Sequence, residues 1–220
     1  MLDNAQLKSL ASRLSSATLS DALDSLGHFD RAMRPFVRPI DDTLSMFGRA
    51  RTGLYAEIHH VAAGERTAPD IALVDALNPG DVLVMAAGGP TCRVAPYGDL
   101  IATAARARGA VGCVTDGLVR DVRILREMRF PVFHGGIGPL DTLGRATFVG
   151  ADIEVVCGGV RVRPGDYVFG DVDGIVVVPP EIASEAISLA LEKIEKEART
   201  REMIEKGLLL GDAFKKHGAI

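Results

Sequence analysis

Asp99, Arg120 and Asp121 are the residues of this chain whose types and spacing best suit chemistry. Arg120 is a permanent, fork-shaped cation matched to a carboxylate or an oxyanion. Asp121 beside it offers hard carboxylate oxygen, the donor that Mg²⁺ or Mn²⁺ prefers and a soft metal does not. Leu100 and Ile101 follow Asp99, and in the first turn of a helix their backbone N–H groups would be left open to an anion. Together these groups describe a site for an anionic substrate beside a divalent cation that keeps positions open for substrate oxygens. Asp99 would orient a water on that cation, or act through it as acid or base. A plainer reading stays open, with Asp99 as a helix N-cap and Arg120-Asp121 as a surface ion pair.

For these residues to meet, the chain must fold back between Gly98 and Asp121. Residues 98–109 (GDLIATAARARG) predict a short helix, with Asp99 at or near the N-cap and Gly109 as its stop. Val111 to Thr115 predict a buried strand, and Asp116-Gly117 the turn leaving it. The helix start and the Arg120-Asp121 loop then share one edge of a sheet.

The flanking sequence supplies that sheet. Helical residues up to Gly27 precede an extended connection (29–44) and a strand over Phe47 to Ala56. Asp70 to Leu77 predict a helix that stops at Asn78-Pro79-Gly80, and Asp81 to Ala86 a buried strand running into Gly88-Gly89. That glycine pair is neither GxGxxG nor a phosphate loop with a following Lys-Ser/Thr. Beyond the centre come a short helix over Val122 to Met128, a strand over Phe130 to Phe133 and a glycine-bearing loop from Gly135 to Gly144. Short strands are then predicted over 146–149, 153–156, 160–162, 167–169 and 175–178. A Pro-Gly-Asp turn recurs at 79–81 and 164–166, each time before an apolar strand, and reads as a shared turn preference. From Glu181 to about Lys206 an amphipathic helix carries Ile187, Ala190, Leu191 and Ile194 on one face. Its length exceeds what one small core requires, so packing on a neighbouring subunit is expected. The alternation is too irregular for a plain doubly wound sheet and predicts layered sheets flanked by helices.

Composition bounds the function. The 220 residues, 47% apolar, suit a single domain spanning 1–220 with a proper core. A formal charge of −4 and the absence of Trp argue against nucleic-acid binding. Cys92, Cys113 and Cys157 show no CxxC spacing and read as reduced thiols. With no signal peptide or 18-residue apolar span, a soluble cytoplasmic protein is expected, with no membrane partner. His59-His60 invites a metal role, but adjacent residues diverge on either a strand or a helix, so capping, access or interface roles are preferred.

At the central residues the sequence resembles the divalent-metal-dependent 4-hydroxy-4-methyl-2-oxoglutarate/4-carboxy-4-hydroxy-2-oxoadipate aldolases, which share a fold with the regulator of ribonuclease activity A. The signature is an Asp, twenty intervening residues, then Arg-Asp: here Asp99, residues 100–119, and Arg120-Asp121. Gly98-Asp99-Leu100, Asp116-Gly117, Phe130-Pro131-Val132-Phe133, Gly158-Gly159-Val160, Pro164-Gly165-Asp166 and Asp171-Val172-Asp173-Gly174 fit the same pattern. The resemblance spans roughly residues 18–205.

It implies a layered α/β/β/α swivelling-domain sandwich, like the phosphohistidine domain, assembled as a homotrimer or a homohexamer. It implies retro-aldol cleavage of a 4-hydroxy-2-oxo acid to pyruvate and a second oxo acid, with oxaloacetate decarboxylation as a side activity. By position, the pyruvate carboxylate would rest on the Leu100 and Ile101 amides, beside Gly98. Arg120 would bind the 2-oxo oxygen and stabilise the enolate, and Asp121 would ligate Mg²⁺ or Mn²⁺. Asp99 would hold the water that accepts the C4 hydroxyl proton. A Glu from a neighbouring subunit's C-terminal helix completes the family's site, and Glu195 or Glu197 could match it. Residues 66–192 contain no Lys, which disfavours imine chemistry. Tyr97, Arg93, His59 and His60 are candidates to shape the substrate side. Two rivals remain: a non-catalytic, protein-binding regulator, disfavoured because such regulators replace the Asp after the Arg, and a dedicated oxaloacetate decarboxylase. No glycine-rich S-adenosylmethionine loop supports a methyltransferase.

Overall fold

A computed structural model describes residues 2–59, 69–89 and 93–217; His60 and Cys92 lie outside that set. Two capped helices open the chain. α1 (Asn4–Ala11) starts at a reciprocal Asp3–Gln6 capping box and α2 (Ser16–Ser25) at a Ser15–Thr18 box. After a two-residue strand β1 (Arg38–Pro39), the twelve-residue strand β2 (Met46–Glu57) forms the spine of the molecule. Along one side β2 pairs in parallel with β3 (Asp81–Ala86). Its other side is divided: Met46–Arg49 pair with β9 (Tyr167–Gly170), and Gly53–Glu57 with β6 (Ala146–Ala151).

The strand order is β1-β5-β4-β3-β2-β9-β10, with β6 off this path. β4 (Gly112–Val119) and β5 (Val132–Ile137) extend the parallel part, and β10 (Ile175–Val178) closes the far edge. All six residues of β3 are buried, as befits a parallel strand covered on both faces. Leu83 and Met85 enter the core beneath α3 (Pro69–Asp75), α4 (Asp99–Ala107) and α5 (Val122–Met128). Val82, Val84 and Ala86 enter a second core shared with the hairpin of β7 (Val155–Cys157) and β8 (Val160–Val162). A third core lies between α1, α2, the long helix α6 (Ala183–Glu205) and the β9–β10 end. These layers are the swivelling-domain type of α/β sandwich. A last helix, α7 (Leu210–His217), follows a turn and is not foreseen in the sequence.

Two local expectations need correction. Asp116-Gly117 is not a turn leaving a strand: β4 runs through it to Val119, with a register shift between Thr115 and Leu118. The buried Asp116 carboxylate accepts the backbone N–H of Ala87 (2.7 Å) and of Gly158 (3.2 Å), so the pair is a bulge pinned from two sides. Likewise Gly135–Ile137 belong to β5, because β4 continues beside them as a partner. The two Pro-Gly-Asp segments do form the same turn. Asp81 accepts from Asn78 N–H and Asp166 from Arg163 N–H, both at 2.8 Å, with Gly80 and Gly165 at φ +86° and +88°.

Candidate functional site

The residues before α4 run beside the end of β4 and set the site. Tyr97 bridges Val119 in parallel, Leu118 N–H donates to the Val94 carbonyl (3.0 Å), and Arg120 N–H donates to the Tyr97 carbonyl (3.1 Å). The Tyr97 side chain is fully buried and anchors this pairing. It therefore lies in the core and not on a substrate wall. Both chains leave the sheet together, so Gly98-Asp99 meets Arg120-Asp121.

Gly98 is the N-cap of α4 and supplies no side-chain cap, which makes Asp99 the first helical residue. The first intrahelical bond runs from Ala102 N–H to the Gly98 carbonyl (3.0 Å). The N–H groups of Leu100 and Ile101 accordingly have no partner within the helix. Asp99 N–H faces Asp121 Oδ2 at 3.4 Å.

Asp121 itself sits in the left-handed region (φ 58°, ψ 31°) and its carbonyl accepts from Ile124 and Leu125 N–H, starting α5. A non-glycine residue held there costs free energy, and such outliers concentrate at functional sites. Gly98 makes room for it: a Cβ on Gly98 would stand 2.6 Å from Asp121 Oδ2 and 3.2 Å from Arg120 Cγ. Arg120 Nε lies 3.6 Å from Asp121 Oδ2, and its Nη1 lies 3.3 Å from Asp141 Oδ2. All three side chains are more than a third exposed, so these pairs contribute position more than stability. Burial pushes the Asp141 carboxyl up, but hydrogen bonds from Leu143 N–H and the Thr142 hydroxyl, with the charge of Arg120, outweigh it and hold the group below the usual range.

Two cavities open here and share Asp99 and Arg120. One, about 620 Å³, lies between α3, α4 and residues 141–147, and is lined also by Gly98, Leu100 and Ile101. The other, about 590 Å³, is bounded by Asp121, Val122 and Ile137–Pro139. Among the described residues no group of three or more His, Cys, Asp and Glu could hold a metal. The residues nonetheless fit a hard cation: Mg²⁺ commonly takes one or two carboxylates and keeps its waters, and Asp121 Oδ2 occupies space that a side chain at Gly98 would fill.

Gly98, Asp99, Leu100, Ile101, Arg120 and Asp121 thus converge within one chain. Glu195 and Glu197 do not join them. They stand on α6, which packs against α2 through Lys193–Asp21 (2.7 Å), and pair with Arg199 (3.9 Å) and Lys193 (3.7 Å). His59 and Arg93 line neither cavity. Sequence reasoning missed Asp141, a carboxylate in a glycine-bearing loop, and Asp70, whose Oδ2 accepts the Tyr55 hydroxyl (2.7 Å) at the cavity wall. Neither carries a local motif.

A family model described as RraA-like, Aldolase/RraA, matches residues 16–177. A protein of Halalkalibacterium halodurans named "Putative 4-hydroxy-4-methyl-2-oxoglutarate aldolase" is 34% identical over 185 residues, covering 83% of this chain and 81% of that protein. Among solved structures, an uncharacterized protein from Pseudomonas syringae pv. tomato superposes with a TM-score of 0.80 at 28% identity, over 94% of this chain and 96% of that one. RraAS2 of Streptomyces coelicolor, described as an unusual member of the RNase ES inhibitor RraA protein family, superposes at 0.78 and 29% identity, over 91% and 97%.

Proposed function

The chain belongs to the RraA-like, Aldolase/RraA family, and on that premise we propose that it is a divalent-metal-dependent aldolase releasing pyruvate from a 4-hydroxy-2-oxo acid. The observation that carries this reading is the convergence of the α4 N-terminus, Arg120 and Asp121 at two adjoining cavities. The substrate carboxylate rests on the Leu100 and Ile101 N–H groups, aided by the helix dipole. Arg120 donates to the 2-oxo oxygen. As the C3–C4 bond breaks, the electron pair moves to C3 and onto that oxygen, and the guanidinium stabilises the enolate charge. Asp99 positions the water that takes the C4 hydroxyl proton, and protonation at C3 completes pyruvate. Asp121 would hold Mg²⁺ or Mn²⁺, which when bound supplies Lewis-acid polarisation of the oxo group.

The same donors would stabilise the enolate left when oxaloacetate loses CO₂, giving a side activity. We also take residues 1–220 as one domain working in a homotrimer or a homohexamer. There the helix over 181–206 would pack on a neighbour, and Glu195 or Glu197 would reach the neighbour's site. Pyruvate release from 4-hydroxy-2-oxo acids, with Mg²⁺ and with EDTA, tests the assignment. The likeness to RraAS2 supports a second reading, a non-catalytic protein-binding regulator. That reading predicts metal-indifferent silence in the same assay.

A further inference from the structure

Arg120 lines both cavities, with Asp121 bordering the smaller and Asp141 the larger. A carboxylate thus meets the guanidinium from either side: Asp121 Oδ2 lies 3.6 Å from Nε, and Asp141 Oδ2 lies 3.3 Å from Nη1. The Arg120 side chain is 39% exposed, so packing alone leaves its long stem several rotamers, and the two pairs select among them. A guanidinium carries five N–H donors, so contacts at Nε and Nη1 set its plane without exhausting the fork. The two oxygens of Asp141 divide their work. Oδ1 accepts the Thr142 hydroxyl (3.1 Å) and Leu143 N–H (3.3 Å), fixing the carboxylate to its own loop, while Oδ2 faces Arg120. The loop is braced in turn. Arg145 Nη1 donates to the Asp141 and Leu143 carbonyls (3.2 Å each), and Ala146 enters β6 beside β2. Ala95 N–H donates to the Leu140 carbonyl (2.9 Å), tying the loop to the segment that leads into α4.

We propose that Asp141 is a positioning residue: through Oδ2 it holds the Arg120 guanidinium in the orientation that meets the oxo oxygen of the substrate. This role rests on the reading of Arg120 as the donor to an oxo acid. Charge alone gives Asp141 the opposite effect, because a carboxylate this close to an anion site repels the anion. What it supplies in return is geometry. An enolate oxygen gains from a donor already aimed at it, since no reorganisation is needed as the charge develops. The two effects have opposite signs in anion binding, so one measurement separates them.

The probe is oxalate, a planar dianion with the shape of the pyruvate enolate. It is titrated calorimetrically, with Mg²⁺ present, into the unaltered protein, Asp141→Asn, Arg120→Lys and the double variant. Asparagine keeps an oxygen for Leu143 N–H and the Thr142 hydroxyl but turns an amide NH₂ toward Arg120, so the loop stays braced and the pair is lost. The Asp141 side chain is 37% exposed, and thermal melts should show the fold unchanged. Asp141→Asn is expected to weaken oxalate about tenfold when Arg120 is present, and by about twofold or less in the Arg120→Lys background. Equal or tighter binding in Asp141→Asn, the same loss in both backgrounds, or no oxalate binding by the unaltered protein overturns the inference. Pyruvate release from 4-hydroxy-2-oxo acids reports separately on catalysis. Silence there, with the oxalate result as expected, removes the aldolase reading and leaves the role of Asp141 standing; release alongside the same loss in both backgrounds does the reverse.

Discussion

Gly98 and Asp121 are so closely apposed that a single methyl group on the glycine would lie 2.6 Å from Asp121 Oδ2. Gly98 has an extended backbone (φ −147°) that alanine can adopt, so the conflict is with the carboxylate and not with the local fold. Gly98→Ala should therefore fold normally yet lower kcat/KM by about 10²-fold, the scale of a 1 Å misplacement in a positioned site. Circular dichroism with a Mg²⁺ titration of activity would check both halves.

Asp121 combines a strained backbone with the oxygen proposed to hold the metal, and the two can be separated. Asp121→Asn should abolish metal-dependent turnover while leaving the melting temperature nearly unchanged. At φ 58° glycine is unstrained, so Asp121→Gly should be more stable than Asp121→Ala by about 1 kcal/mol, both being inactive. Thermal melts of the three variants measure this order directly.

Arg120→Lys keeps the charge and loses the fork that pairs with Asp141 and is proposed to bind the substrate oxygen. A loss of about 10²-fold or more in kcat is expected, in line with removal of a preorganised oxyanion donor. A near-normal kcat would remove Arg120 from the mechanism.

Asp116 ties β4 to the end of β3 and to the β7–β8 turn through two buried N–H groups. Asp116→Ala leaves both without acceptors and should cost about 2–4 kcal/mol in urea denaturation. Its effect on a site residue's chemistry should be secondary to that loss.

His134 on β5 is buried, and burial, then the charge of Arg126, lowers its pKa from 6.5. The unfolded chain then binds the proton more readily than the folded one. The stability is fully present above pH 6.5 and declines as the pH falls from there toward the folded-state value. His134→Gln should flatten the stability–pH curve in that window, as read by denaturant midpoints from pH 7.5 to 5.

The sequence was most legible where a local signal and the tertiary role coincide. The helix over Val122 to Met128, the strand β2 and the paired Pro-Gly-Asp turns are announced by their own residues. Asp116-Gly117 misled because its turn chemistry is real, but two distant N–H groups recruit the carboxylate and keep the strand going. Asp70 and Asp141 were invisible for the opposite reason: each reaches the site by tertiary packing alone, from elements far apart in the chain. Tyr97 looked like a pocket wall and is a fully buried core residue bridged to Val119, a placement that only the tertiary pairing reveals.

The central claim is tested most directly by following pyruvate released from 4-hydroxy-2-oxohexanoate, 4-hydroxy-4-methyl-2-oxoglutarate and oxaloacetate, each with Mg²⁺ and with EDTA. Release from the hydroxy acids that Mg²⁺ supports and EDTA abolishes is the predicted result. Silence on all three substrates from a folded preparation, or release that EDTA leaves untouched, would contradict it.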